Sequence, residues 1–279
     1  MKVWTEIRGR SRRGWQVAVA FISVDYIDAM NYPLAIVMKT LSAVVPIVTF
    51  KFVADLMGDN GADVAFDYYT FVVIGVATMT LLNATLNAFG NALLRLVTQG
   101  QLEMYLVEPV PWNLLPFVML PWPGIVAIGT AVAMIGVSIP LGASYAVAGV
   151  PAALGIVALG LIATLAVGIL GAAVRVLSKR ADPVFTIYTI AASVLSGAFF
   201  PVEQLPSWLT SLSWLIPHTY VIQALRKVLM PDGAVLGGPT AGQAMLALVA
   251  FAIVLYPIAM WVFGKTLEYG RKIGALSGY

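Results

Sequence analysis

Between Glu108 and Arg175 the chain carries no Asp, Glu, Lys, Arg or His. Such a stretch cannot cover a water-facing surface, and one crossing of a bilayer needs about 20 apolar residues. The stretch therefore holds two crossings and a turn, and Pro140, Gly142 and Pro151 put the turn near residues 140–151. The remainder has the same character. The whole chain is 60% hydrophobic and 10% charged, with a mean hydropathy of +0.91, whereas soluble domains carry roughly 25% charged residues. No segment of the 279 residues is both long and polar enough for a separate soluble domain, so any soluble activity has to come from another chain.

The sequence predicts an all-α membrane protein, a single transmembrane domain over 1–279 with six transmembrane helices. The predicted spans are 32–54, 68–96, 113–139, 152–174, 183–200 and 241–264. Residues 1–31 combine Lys2, Arg8, Arg10, Arg12 and Arg13 with an apolar stretch from Trp15 to Val24. With no small-residue cleavage site, this reads as a cytoplasmic interfacial helix. Asp55, Asp59, Asp63 and Asp67 separate the first two spans with no basic residue among them. Arg175, Lys179 and Arg180 follow the fourth span, and Lys265, Arg271 and Lys272 lie in the tail 265–279. Six spans with both termini cytoplasmic put the basic clusters inside and the Asp-rich loop outside. The loop 98–111 departs from this pattern. It carries Glu103 and Glu108, with only Arg95 nearby, and an acidic cytoplasmic loop invites a basic protein partner.

Residues 201–230 do not read as a span. Prolines at 201, 206 and 217 break helix interiors and favour first turns. Two short helices follow, about 206–215 and 219–230, each too short to cross. With Trp208 and Trp214 at headgroup level, the segment reads as an outer re-entrant helical hairpin between the fifth and sixth spans.

Two motifs carry a family resemblance. Ser196-Gly197, Phe200-Pro201, Leu205-Pro206, Trp208-Leu209, Pro217 and Ala224-Leu225-Arg226 resemble the C-terminal signature of type 2 ABC exporter permeases, the membrane subunits of ATP-driven exporters. Gly100-Gln101-Leu102-Glu103 with Leu106-Val107-Glu108-Pro109-Val110-Pro111 is similar to that family's coupling-helix region, with Glu108 where Ser or Lys is usual. The resemblance implies that Gln101, Leu102, Glu103, Tyr105, Glu108 and Pro109 contact an ATPase. It also implies that Gly197, Phe200, Pro201, Pro206, Trp208, Pro217 and Arg226 form the outer-hairpin motif. Its implied partners are two copies of a cytosolic ATPase subunit, which hold the ATP and Mg, and a second permease subunit, identical or related. No Gly-x-x-x-x-Gly-Lys-Ser/Thr phosphate loop occurs here, so this chain is read as binding no cofactor and catalysing nothing. Its expected place is the cytoplasmic membrane, in contact with lipid.

Zero cysteines exclude disulfides and thiolate sites, and a lone histidine, His218, argues against a multi-histidine metal centre. The net charge of +3 sets topology rather than binding nucleic acid. Asn83, Asn87, Asn91 and Arg95 recur every four residues, close to one helix face. The asparagines read either as a substrate path or as interhelical hydrogen bonds, and Arg95 marks the cytoplasmic end. Lys39, about seven residues into the first span, reads either as a substrate contact or as a side chain reaching the inner surface. Gly160, Thr164, Gly168 and Ala172 read as a packing stripe. The expected substrate is amphipathic: a drug, an antibiotic or a lipid. An ion-gradient-driven secondary transporter is the alternative, but no span core carries a carboxylate and no internal repeat is evident.

Overall fold

A computed structural model describes residues 19, 22–27, 29–59, 67–98, 114–178, 183–231 and 237–272. Among these there are helices and turns and no strand. In chain order the helices are α1 (Pro33–Asp59), α2 (Tyr68–Thr98), α3 (Leu115–Met119), α4 (Pro121–Ser138), α5 (Val150–Ser178), α6 (Pro183–Leu195), α7 (Ser207–Ser213), α8 (Pro217–Leu229) and α9 (Ala241–Lys272). Five of them, α1, α2, α4, α5 and α9, are long and apolar enough to cross a membrane.

Two expected spans come out differently. The span expected over 183–200 is a 13-residue helix ending at Leu195, because Gly197 turns the backbone into the left-handed region at φ 74°. At 1.5 Å per residue it reaches only about 20 Å, against about 30 Å of hydrocarbon. The span expected over 113–139 is divided at Leu120 into α3 and α4. Pro121 starts α4 because its fixed φ suits a first turn, where its missing N–H costs nothing. Residue 113 and most of the N-terminal segment 1–31 lie outside the described residues, although 22–27 are helical.

Helix α2 is the hub. It packs on α5, α4, α8 and α1, and it is the most enclosed of the long helices. Two cores meet along it. One joins Phe89 and Leu93 to Ile169 of α5 and Phe263 of α9. The other joins Phe71 and Leu82 to Ile156, Val221, Leu225 and Leu248. The small-residue stripe on α5 lies at these contacts. A Cβ at Gly168 would stand 2.7 Å from the Leu86 carbonyl oxygen, and one at Gly160 would stand 2.5 Å from Val221 Cγ2. Bare Cα positions therefore set the helix spacing. By contrast α1 turns Leu34, Val37, Leu41, Val45 and Phe52 outward, a face suited to lipid.

The loops sort onto opposite ends of the bundle. At one end Ser144, in the α4–α5 turn, donates its backbone N–H to Thr70 Oγ1 and its hydroxyl to Asp67, so this turn lies beside the Asp-rich α1–α2 connection. Ala146 N–H donates to the Leu229 carbonyl at 2.7 Å, which brings the end of α8 to the same place. At the other end Arg95 pairs with Asp25 at 3.0 Å, and Tyr26 meets Trp122 edge to face.

Candidate functional site

The Asn83–Asn87–Asn91 face of α2 opens onto a cleft of about 770 Å³ walled by α1, α2 and the start of α4. Lys39 lines the same cleft, together with the Asp25–Arg95 pair. The structure thus brings together the polar residues that the sequence singled out at this end. Trp122, Ile36 and Val126 supply apolar wall.

Behind the cleft, Arg175 of α5 reaches across to α2. Its Nη1 donates to Asn91 Oδ1 at 2.9 Å and its Nη2 to Asn87 Oδ1 at 2.7 Å. The planar guanidinium can serve two acceptors at fixed spacing, as an ammonium cannot. A guanidinium only donates, so both amides must turn their oxygens to it and their NH₂ groups away. Asn87 spends its NH₂ on the Asn83 carbonyl at 2.9 Å. Asn83 Oδ1 is buried with no hydrogen-bond partner among the described residues. The Asn stripe is therefore at once an interhelical contact, through Arg175, and a cleft wall. Sequence reasoning missed Arg175 as a partner, since a basic residue at the end of a span reads as a topology signal.

The second site is the hairpin motif. Arg226 has no solvent exposure, yet its guanidinium is held by three backbone carbonyls. Nε donates to Phe71 at 3.1 Å, Nη1 to Gly197 at 2.7 Å and Nη2 to Ala198 at 2.8 Å. Its Cζ lies over the Phe71 ring, 3.3 Å from the centroid, a cation–π contact that guanidinium groups favour. A buried charge needs such partners, and here they tie α8 and the α6–α7 turn to α2. The close approach depends on Gly75, where a Cβ would overlap the Ala198 carbonyl and stand 2.6 Å from Arg226 Nη2. The sequence offered one signal for Gly75: glycine in a helix interior costs about 1 kcal/mol relative to alanine.

The other motif residues surround this clamp. Pro201 and Pro206 precede the 3₁₀ turn Val202–Gln204 and α7, and Pro217 opens α8. Phe200 is half-buried and Trp208 is exposed. The two helices match the expected pair closely in position.

The family model described as ABC-2 type transporter matches residues 19–230. The matched range takes in the cleft, the Arg175 contact and the whole clamp. The chain belongs to the ABC-2 type transporter family. It is a multi-pass membrane protein and a permease component, not itself an ATPase, of a family that normally works with an ATPase subunit. No curated protein matches the chain.

Within this permease, Gln101, Leu102, Glu103, Tyr105, Glu108 and Pro109 lie outside the described residues. The helix that leads into them, α2, is the one that carries the Asn stripe and accepts the Arg226 clamp. His218, at the start of α8, has no exposure, and neither ring nitrogen has a hydrogen-bond partner among the described residues. It lies outside the five long spans, and burial lowers its imidazole to about 4.

Proposed function

We propose that this chain is the permease subunit of an ATP-driven exporter. In this reading it moves an amphipathic drug, antibiotic or lipid out across the cytoplasmic membrane by alternating access. Two copies of a separate cytosolic ATPase subunit hold ATP and Mg, and a second permease subunit, identical or related, completes the membrane part. The observation that carries the reading is membership of the ABC-2 type transporter family over residues 19–230.

Charge placement supports the orientation. Arg95 lies in the last turn of α2 and Arg175 in that of α5, and Lys265 lies near the end of α9. If these ends are cytoplasmic, as the positive-inside rule favours, the Asp67 end is outer and both termini are inner. In that frame the fifth of six crossings is made by α6 together with the turn at Gly197, since α6 alone reaches only about 20 Å, and α7 and α8 form the re-entrant hairpin at the outer face. The loop 98–111 then docks on the ATPase, with Glu103 and Glu108 meeting basic groups. ATPase closure is passed as rigid-body motion into α2 and, through Arg226, to the hairpin.

Co-purification with a cytosolic ABC ATPase subunit tests the reading. The two chains are expected to elute as one complex, and replacing Gln101, Glu103 and Glu108 together by alanine is expected to release the ATPase. A folded permease that never retains the ATPase would contradict it.

A further inference from the structure

Among the described residues, the cleft between α1, α2 and α4 has an unbalanced charge. Asp25 neutralises Arg95. The Lys39 ammonium, which lines the same cleft, makes no hydrogen bond or ion pair with any described residue. Lys39 lies six positions into α1, about 9 Å along the helix from its start, on a helix long and apolar enough to cross a membrane. A charge at that depth next to hydrocarbon calls for a counter-charge. Arg175 adds a second positive group behind the wall, spread over Asn87 and Asn91. Because it fixes both amide oxygens, Asn91 has its NH₂ left to offer, as a hydrogen-bond donor. The polar part of the cleft is thus cationic and rich in donors, while Ile36, Trp122 and Val126 make the rest apolar.

We propose that this cleft binds an acidic amphiphile, its phosphate or carboxylate head on Lys39 and Asn91 and its tail against Ile36, Trp122 and Val126. A neutral or cationic head would leave Lys39 uncompensated, and an acidic head without a tail would leave the apolar walls uncovered. Charge-assisted hydrogen bonds are the stronger kind and gain further where water is scarce. The inference deepens the exporter reading, and rests on it, by naming the head-group chemistry that the permease accepts at its inner end. The acid can come from a bilayer phospholipid or from a soluble amphiphile, and the experiment separates the two.

The test is equilibrium binding of dodecyl phosphate to the full-length chain in nanodiscs. Dodecylphosphocholine and inorganic phosphate serve as competitors. Saturable binding is expected, weakened about tenfold or more in Lys39→Gln and restored in Lys39→Arg, as for loss and return of one charge-assisted contact. Neither competitor should displace the probe at matched concentration. Lys265→Gln, whose side chain is exposed and paired with Glu268, should bind as the unaltered chain does. Weaker probe binding in phosphatidylglycerol discs than in phosphatidylcholine discs would assign the site to bilayer lipid, and equal binding would assign it to a soluble acid. Either outcome supports an acidic amphiphile.

Unchanged binding in Lys39→Gln, or equal displacement by dodecylphosphocholine or by inorganic phosphate, would overturn the proposal. Lys39 is exposed, so its replacement leaves the core intact, and an unshifted unfolding midpoint confirms this for each variant. Binding requires no ATPase. Failure of the ATPase complex would therefore overturn the exporter reading alone, and a working complex with unaltered Lys39→Gln binding would overturn this site alone.

Discussion

Arg226 Nη2 donates to the Ala198 carbonyl at 2.8 Å in a setting with no solvent. Two further carbonyls, of Phe71 and Gly197, depend on the same side chain. Lysine offers one compact donor group in place of a planar fork. Arg226→Lys is expected to destabilise the protein by about 2–4 kcal/mol, because carbonyls are left without a donor in the interior. The unfolding midpoint in detergent should fall sharply. An unshifted midpoint would show that the clamp does not hold the hairpin.

The glycine beneath this clamp allows a sharper comparison. Gly75→Ala places a methyl against the rigid Ala198 backbone, an overpacking that costs about 1–3 kcal/mol. Gly129 also lies in a helix, α4, but has nothing within 4 Å of an added Cβ. There alanine should be neutral or stabilising by up to about 1 kcal/mol, through helix propensity. Thermal unfolding of the two variants side by side should move in opposite directions or separate by several degrees.

Arg175 makes a related prediction for the Asn stripe. Arg175→Met removes two charge-assisted hydrogen bonds to Asn87 and Asn91, each worth about 1.5–3 kcal/mol, though an apolar replacement recovers some packing. Arg175→Lys should recover part of the loss, since one ammonium cannot match two acceptors as the fork does. A Cβ at Gly90 would stand 2.7 Å from Arg175 Nη1. Gly90→Ala should therefore lower the unfolding midpoint through the same contact, and combining it with Arg175→Met should add little. Full additivity in that double-mutant cycle would contradict the coupling.

The charge pattern, the turn between α4 and α5 and the proline-bounded pair α7 and α8 were legible in the sequence because each rests on local chemistry. Charges are excluded from lipid, and Pro201, Pro206 and Pro217 act on their own backbone. The family signature was legible as residues, but its physical content was not. That Arg226 grips Phe71 and Gly197 across the fold is a long-range fact with no local periodicity. The short reach of α6 was hidden because hydropathy continues through Ala198, Phe199 and Phe200 while the backbone has already turned at Gly197. The Asn stripe was visible as a spacing of four, but its partner lies on a helix that begins more than fifty residues later.

His218 makes stability depend on pH. Its folded value is lowered to about 4 by burial, against an ordinary value of about 6.5. Below pH 6.5 the unfolded chain binds a proton that the folded chain refuses. Stability is therefore full above about pH 6.5 and declines as the pH falls from there toward 4, by up to about 1.4 kcal/mol per unit. His218→Leu should remove this component of the slope. A variant with the same decline over that range would place the acid sensitivity elsewhere.

The exporter account is tested most directly by ATP hydrolysis in proteoliposomes that hold a cytosolic ABC ATPase subunit with and without this chain. The account predicts that the permease changes the hydrolysis rate several-fold, and that replacing Glu103 and Glu108 by alanine abolishes the change while the chain stays folded. The same rate with the permease absent, present or altered in that loop would contradict it.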